Sequence, residues 1–392
     1  MRITLNGLFW PMPSVGSGQY LHELLPALRR LAPDDEFTLA MVGDAPTHAA
    51  ARAIPWRPPL GRGADNDLAK TWFEQVVFPR LARDADLAHV PYFAPPLRPS
   101  APTVVTVHDI IPLVLPAYRG SALARLYFRL AATALPRAHH VIADSEHSRQ
   151  DILARFGIPP QRVTTVYLAA AERFRPASPD AIRRARRRYG LPDEYILYMG
   201  GYDVRKDVAT LLAAYRLLQQ GGARTALVCA GGLPRQGSAV TPDPRRQAET
   251  LGVTVHFPGF IAAEDQPALL SGARAFVFPS RYEGFGLPPL EALACGAPTV
   301  VADASSLPEV VGDAALLFPA GAAHALADTL SRLLGDAALQ DDLRARGPLR
   351  AAQFSWERAA RETRTVYTGS ESSPGARRRR PSPPTQKEPA HV

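Results

Sequence analysis

The chain has 392 residues, 46% of them hydrophobic and 21% charged, which is enough for two ordinary globular domains with a core each. Its formal net charge of +8 suits an anionic substrate or an anionic membrane surface, and no helix-turn-helix, RNP or zinc-finger pattern directs that charge to nucleic acid. Cys229 and Cys295, both in apolar contexts, read as buried free thiols from which no metal site can be built, and the lack of any run of about 18 apolar residues argues against a membrane span.

Arg2 to Leu8 predicts a first strand with no apolar leader ahead of it, so the expected location is the cytoplasm. Gly16-Ser17-Gly18-Gln19-Tyr20 follows, then Leu21, Leu24, Leu25 and Leu28 at helical spacing. A glycine loop opening a helix presents backbone N–H groups to an anion. Taken alone it fits a tight turn equally well. Phe37 to Val42 is a second strand, 44–70 reads as a Pro/Gly/Arg-rich loop, and Trp72 to Leu81 as a helix. Asp84-Ala85-Asp86 spells the short acidic pattern of metal-dependent transferases, but it precedes the strand 86–90 and reads as a corner.

Thr103 to Val107 is a β-branched strand that delivers His108-Asp109 to its carboxyl end, where open α/β sheets carry their chemistry. The other reading of that pair is a cap on a turn. Residues 119–137 form a helix with Leu123, Leu126, Leu130 and Ala134 on one face. Its Arg119, Arg125 and Arg129 suit anionic lipid, or simply the solvated side of an amphipathic helix. Val141 to Asp144 is the next strand, and Ser145 is placed to cap a helix running to Phe156. Val163 to Tyr167 is a short strand, and 168–180 reads as the linker to a second domain.

After an arginine-rich helix at 182–189, Tyr195 to Met199 starts a second sheet. It runs into Gly200-Gly201-Tyr202-Asp203-Val204-Arg205-Lys206-Asp207 and a helix from 209 to 218. Two adjacent cations at a helix N-terminus favour a diphosphate by charge and by dipole. Ala226 to Ala230 and Val253 to Phe257 are strands, the latter leading to Pro258-Gly259-Phe260.

Residues 276–280 form a strand, Glu283-Gly284-Phe285-Gly286 a loop, and Pro288-Pro289 the first turn of a helix that Gly296 and Pro298 stop. Residues 298–302 are a strand again. Glu291 is expected on the first helical turn, favoured by the positive end of the dipole. A carboxylate accepts two hydrogen bonds at once, which matches vicinal ribose hydroxyls, and the loop glycines let a ligand approach backbone N–H groups. The stretch therefore reads as a site for a polyol joined to an anion. The plain alternative is a solvated loop glutamate and a favourable helical one. Helices at 321–334 and 337–352 follow, Phe354-Ser355-Trp356 begins a last helix, and the Ser/Pro/Arg-rich run from Gly369 is expected to be disordered. Strand–helix alternation in both halves predicts an α/β fold with parallel sheets.

Glu283 to Pro298 resemble, nearly position for position, the E-x7-E motif of the retaining glycosyltransferases of family 4, E-G-F-G-L-P-x-L-E-A-x-A-x-G-x-P-V. The resemblance is close over 195–312 and looser over 1–367. It implies the GT-B architecture, two Rossmann-like domains with parallel sheets facing a central cleft. The implied division is an acceptor-side domain at 1–170, a nucleotide-sugar-binding domain at 171–353, a crossover helix at 354–367 and a disordered tail at 368–392. By resemblance, Glu291 holds the nucleotide ribose, Glu283 and His108 lie near the donor sugar, and Arg205 and Lys206 meet the diphosphate. The family's earlier arginine is missing, with Tyr202 or Gly201 in its place. Gly16, Ser17, Gly18, Phe285 and Gly286 complete the donor-binding set. The family often shows the S-x-x-S of Ser145 and Ser148, and Ser305 to Val310 resembles a loop that closes the site floor.

The implied reaction is a retaining, metal-independent hexosyl transfer from a nucleotide sugar to a glycan or lipid-linked hydroxyl, with no other cofactor. Trp72-Phe73-Glu74-Gln75 and the run His108 to Pro112 resemble bacterial mannosyltransferases of polysaccharide assembly, which points to GDP-mannose. The other readings are a UDP-sugar-dependent transferase, a sugar-nucleotide 2-epimerase and a non-catalytic glycan-binding protein.

Overall fold

The computed structural model describes residues 1–13, 15–42, 52–56, 67–118 and 120–369. The first half builds a seven-stranded sheet from β1 (Arg2–Asn6), β2 (Glu36–Val42), β3 (Arg52–Trp56), β4 (Leu87–Val90), β5 (Thr103–Val107), β6 (His140–Ala143) and β7 (Val163–Thr165). Their order is β3-β2-β1-β4-β5-β6-β7, all parallel. The second half builds a six-stranded sheet from β8 (Tyr195–Met199), β9 (Ala226–Ala230), β10 (Val255–Gly259), β11 (Ala275–Phe278), β12 (Thr299–Asp303) and β13 (Ala315–Pro319). Here the order is β10-β9-β8-β11-β12-β13, again all parallel.

Parallel sheets covered on both faces need strands that are apolar throughout. Thr-Val-Val-Thr-Val of β5 and Ala-Phe-Val-Phe of β11 are buried at every position. In each sheet the strand order reverses beside the first strand, between β1 and β4 and between β8 and β11. Ligands of doubly wound sheets bind beyond the carboxyl ends at that reversal. The loops leaving β8 and β11 carry Arg205, Lys206 and Glu283, so the topology sets them side by side.

Two strands depart from expectation. β3 falls inside the stretch read as a loop, and it is an edge strand, where Pro55 needs no ladder partner. β13 is the opposite kind of edge, five residues long and ending in Pro319. The helix expected over 72–81 is a π-helical turn, Phe73–Val77, between α-helices Asp67–Trp72 and Phe78–Leu81. Pro79, which has no N–H, cannot complete a regular ladder there. The helix expected over 119–137 runs Ala122–Ala134, and its Leu123 and Leu126 are 47% and 53% exposed; Ala131 and Ala134 are its buried residues. Arg119, residues 43–51 and 57–66 of the expected loop, and 370–392 of the expected tail lie outside the described residues.

The last helix, Trp356–Gly369, returns to the first sheet and packs against the helix Gly16–Leu31. Tyr367 meets His89 Nδ1 at 2.6 Å, Arg30 pairs with Glu357 at 2.9 Å, and Arg364 with Asp35 at 3.2 Å. Asp86 of the acidic triplet is bound to Arg2 at the amino end of β1, remote from the carboxyl ends. Both cysteines are free and buried. No helix among the described residues is long and apolar enough to cross a membrane.

Candidate active site

Glu283 stands at the centre of the loop that leaves β11. Its Oε1 accepts from Lys206 Nζ at 2.7 Å and from Ser280 Oγ at 2.5 Å, and its Oε2 meets Arg205 Nη1 at 2.7 Å. Arg205 and Lys206 sit on the single 3-10 turn Val204–Lys206 after β8. Arg205 also reaches Asp203 Oδ1 at 3.2 Å, and Lys206 Nζ lies 4.6 Å from the centre of the Phe278 ring. Burial alone would raise the Glu283 carboxyl, but Lys206 and Arg205 overcome it and hold the group below its ordinary range. Burial lowers the Lys206 ammonium despite the opposing pull of Glu283. Burial opposes the charge of Arg205 as well, yet Glu283 and Asp203 raise its pKa.

Ser305 and Ser306 brace the loop from the far side of β12. Ser305 Oγ accepts from the Glu283 N–H at 2.9 Å, and Ser306 Oγ donates to the carbonyls of Glu283 and Phe285 at 3.0 and 2.6 Å. Gly286 has φ +111°, a conformation that side chains resist, and it opens the helix Leu287–Ala294. Among the described residues, no acceptor meets the N–H of Gly284, Phe285, Gly286 or Leu287. Four such donors at a helix start form a cradle for an anion.

Glu291 lies on the same helix, but Leu287 opens that helix, so Glu291 begins the second turn rather than sitting in the first. The dipole therefore does little for it. Burial pushes its carboxyl up to about 7, and the amide of Gln19, 3.3 Å from Oε1, offsets this only in part.

The first half of the chain faces this site. Gly16, Ser17 and Gly18 are the first residues of the helix Gly16–Leu31 rather than a loop before it, and Val15 offers that helix no side-chain cap. His108, at the end of β5, has both ring nitrogens engaged: Nδ1 with Asp144 Oδ2 at 2.7 Å and Nε2 with the Pro91 carbonyl at 3.0 Å. Two acceptors favour an imidazolium. Burial works against that charge, but Asp144 prevails and the pKa is raised. His108 thus contributes its backbone to the cleft, where its carbonyl is packed against Gly284.

The loops beyond the two sheets also touch directly. Tyr118 donates to Asp203 and accepts from the Arg205 N–H, and Tyr282 donates to Asp151 at 2.5 Å. The Glu309 carboxylate accepts from the N–H groups of Glu146 and His147, both at 3.1 Å.

The structure therefore brings Arg205, Lys206 and Glu283 together, places Gly286 at the start of the helix that follows and Glu291 on it, and sets Glu291 against Gln19, the residue after Gly16, Ser17 and Gly18. It turns the Phe285 ring away, into a cluster with Tyr167 at 6.2 Å and Phe354 at 5.9 Å. Phe260 is 68% exposed. Sequence reasoning gave no role to Ser280, Tyr118, Gln19 or Asp203. Ser280 had a readable signal, its place at a strand end three residues before Glu283. Asp203 was within reach too, two residues before Arg205, whereas Tyr118 and Gln19 come from distant stretches.

Two parallel sheets whose carboxyl ends meet across one cleft, with a cation pair and two buried glutamates between them, define a GT-B glycosyltransferase. The chain belongs to the glycosyl transferases of group 1: that family model matches residues 182–350, and the Glycosyltransferase Family 4 model matches 15–170. O-antigen chain mannosyltransferase B of Escherichia coli is 34% identical over 266 residues, which are 67% of this chain and 69% of that protein. Serotype-specific mannosyltransferase WbdA of Escherichia coli is 32% identical over 269 residues, but these are only 32% of its length. A sucrose-phosphate synthase from Thermosynechococcus elongatus shares the fold with a TM-score of 0.71 at 24% identity, over 94% of this chain and 98% of that one.

Proposed function

We propose that this glycosyltransferase moves mannose from GDP-mannose to a hydroxyl of a glycan or lipid-linked glycan, with retention of configuration, in the building of a cell-surface polysaccharide. The observation that carries the transfer chemistry is the pairing of Arg205 and Lys206 with Glu283 beside the free N–H groups of Gly284 to Leu287. The Escherichia coli relatives, an O-antigen chain mannosyltransferase and a serotype-specific mannosyltransferase, support the sugar and the pathway class.

In this reading the donor diphosphate lies between the cation pair and the start of the helix Leu287–Ala294. Negative charge builds on its leaving oxygen as the glycosidic bond breaks. Arg205, Lys206 and the loop N–H groups are already oriented toward that charge, so they stabilise it without rearranging. These cations do the work a metal ion does in other transferases, and the reaction is expected to need none. Glu291 accepts from the ribose hydroxyls, and the helix start at Gly16 to Gly18 adds N–H groups from the opposite half. Glu283 keeps the two cations in position until the diphosphate arrives. Retention fits a same-face reaction in which the leaving phosphate takes the acceptor proton, since no side chain among the described residues stands out as a covalent nucleophile. We assign residues 1–170 to the acceptor and 171–353 to the nucleotide sugar, with peripheral contact to anionic lipid through Arg125 and Arg129.

Calorimetry with GDP-mannose, UDP-glucose and UDP-N-acetylglucosamine in EDTA tests the donor. Selective binding of GDP-mannose supports the proposal. Selective binding of a UDP sugar replaces the donor and keeps the transferase. Proton NMR of the product gives the anomeric outcome, and an inverted product overturns the retaining assignment.

A further inference from the structure

The carbonyl of Gly284 points out of its own half of the molecule. It accepts two hydroxyls from the other half, Ser145 Oγ at 2.6 Å and Ser148 Oγ at 2.9 Å. Ser145 is 0% exposed, Ser148 2%, and both stand at the start of the helix Glu146–Phe156. Ser145 also caps that helix, accepting from the Ser148 N–H at 3.0 Å. One carbonyl with two hydroxyl donors has both lone pairs filled. The peptide plane is rigid and trans, so fixing the Gly284 carbonyl also fixes the Phe285 N–H, which points to the opposite side. That N–H is one of the donors left without an acceptor in the loop. Glu283 is the residue immediately before. The helix carrying the serines is itself held by the second half, through Glu309 on the N–H groups of Glu146 and His147.

We infer that Ser145 and Ser148 are positioning residues: from the acceptor-side half they lock the Gly284–Phe285 peptide, so that the Phe285 N–H is aligned on the donor diphosphate, beside the cations that Glu283 holds, only when the cleft is closed. This rests on the donor site proposed above. It gives the S-x-x-S pattern a task beyond helix capping. A cap requires one oxygen, and Ser145 already supplies it. The Ser148 hydroxyl takes no part in the cap, is fully enclosed, and is used on the Gly284 carbonyl. Ground-state affinity for the nucleotide is assigned chiefly to Arg205, Lys206 and Glu291 of the second half. Loss of the lock should therefore slow turnover rather than weaken donor binding.

The test uses the full chain with GDP-mannose as probe and its slow hydrolysis as the readout, so that no acceptor need be known. Ser148→Ala leaves the Ser145 cap intact. It should lower kcat about fivefold, the effect of one hydrogen bond, with the donor Kd changed less than twofold. Ser148→Thr keeps the donor hydroxyl and should stay within twofold of the wild type. Hydrogen exchange on the free protein gives a readout without activity: the N–H groups of Glu146 and His147 should exchange faster in Ser148→Ala, because the halves separate more often. Wild-type kcat in Ser148→Ala, or a donor Kd that worsens in step with kcat, overturns the inference. So does a Thr variant as slow as the Ala variant. If the wild type turns over no nucleotide sugar, it is the proposed function that fails, and the exchange at Glu146 and His147 still decides the lock.

Discussion

The Lys206 ammonium lies 2.7 Å from Glu283 Oε1, and each residue is only 8% exposed. Arg205 holds the other carboxylate oxygen at the same 2.7 Å. One buried anion therefore serves two cations. Removing it leaves uncompensated positive charge, which costs about 3–5 kcal/mol in a buried setting. Glu283→Gln should lower the melting temperature markedly. It should also gain more from added GDP than the wild type does, because the diphosphate replaces the missing charge. Differential scanning fluorimetry with and without GDP checks both effects. An unchanged melting temperature removes Glu283 from the centre of the site.

Lys206 offers a contrasting case. In Lys206→Met a thioether replaces the ammonium over the Phe278 ring, and Glu283 keeps Arg205 and Ser280 as partners. Stability should fall modestly, by about 1–2 kcal/mol. Turnover should fall about a hundredfold, since a charge aimed at the leaving group is lost. Steady-state hydrolysis of GDP-mannose beside urea denaturation separates the two. Wild-type turnover takes Lys206 out of the reaction.

Glu291 should make donor binding depend on pH. Burial pushes its carboxyl up to about 7, and only the ionised form offers both oxygens as acceptors to two ribose hydroxyls. Nucleotide sugars carry no group that titrates near there. Affinity for GDP-mannose should therefore rise about tenfold from pH 6 to pH 8, as the linkage of one proton requires. Glu291→Gln should give a flat profile. Calorimetry at four pH values decides, and a flat wild-type profile removes the ribose role.

His108 bears on stability instead. Its imidazolium, held by Asp144 and the Pro91 carbonyl, has a raised pKa in the folded chain. A raised histidine contributes fully below its unfolded pKa, about 6.5, and the contribution fades as pH climbs through the folded value. Urea denaturation from pH 6 to pH 9 should show stability falling with pH. In His108→Gln that fall should be shallower. An identical slope in the two proteins excludes His108 as its source.

Much of this was legible in the chain. The run Glu283 to Pro298 spells a loop, a proline-started helix and a glycine stop in residues that are all local to one another. Arg205 and Lys206 follow a glycine strand end, so their place beyond the carboxyl end of a strand could be read as well. What escaped was either marginal or long-range. β3 and β13 are five-residue edge strands bearing proline, Arg-Ala-Ile-Pro-Trp and Ala-Leu-Leu-Phe-Pro, too short for periodicity to tell a strand from another apolar run. His108 was legible as a strand-end residue, but its ring is held by Asp144, 36 positions away, and no spacing announces that. The same holds for Gln19 against Glu291 and for the serines against Gly284, pairs separated by more than a hundred residues. Phe285 sits among residues that touch the ligand in the reading from sequence, yet packing with Tyr167 and Phe354 takes its ring elsewhere.

Gly284 supplies the last prediction. A Cβ built on it would lie 1.7 Å from the His108 carbonyl oxygen and 3.1 Å from Asp109 Cβ. The first of these is backbone at the end of a buried strand and cannot swing aside. A methyl group at 284 must therefore push the two halves apart. Gly284→Ala should fold, since the clash lies between the halves and not within one. It should bind GDP-mannose within about threefold of the wild type, because the groups assigned to the nucleotide belong chiefly to the second half. Turnover should drop by at least about a hundredfold, the usual penalty when reacting groups are displaced by an ångström. Small-angle scattering should show a larger radius of gyration. Gly286→Ala differs: its φ of +111° is strained for alanine, and the added carbon would meet Leu307 within the second half. That variant should lose stability and donor affinity together. A Gly284→Ala protein that turns over normally would mean that chemistry does not require the closed arrangement of His108 against Gly284.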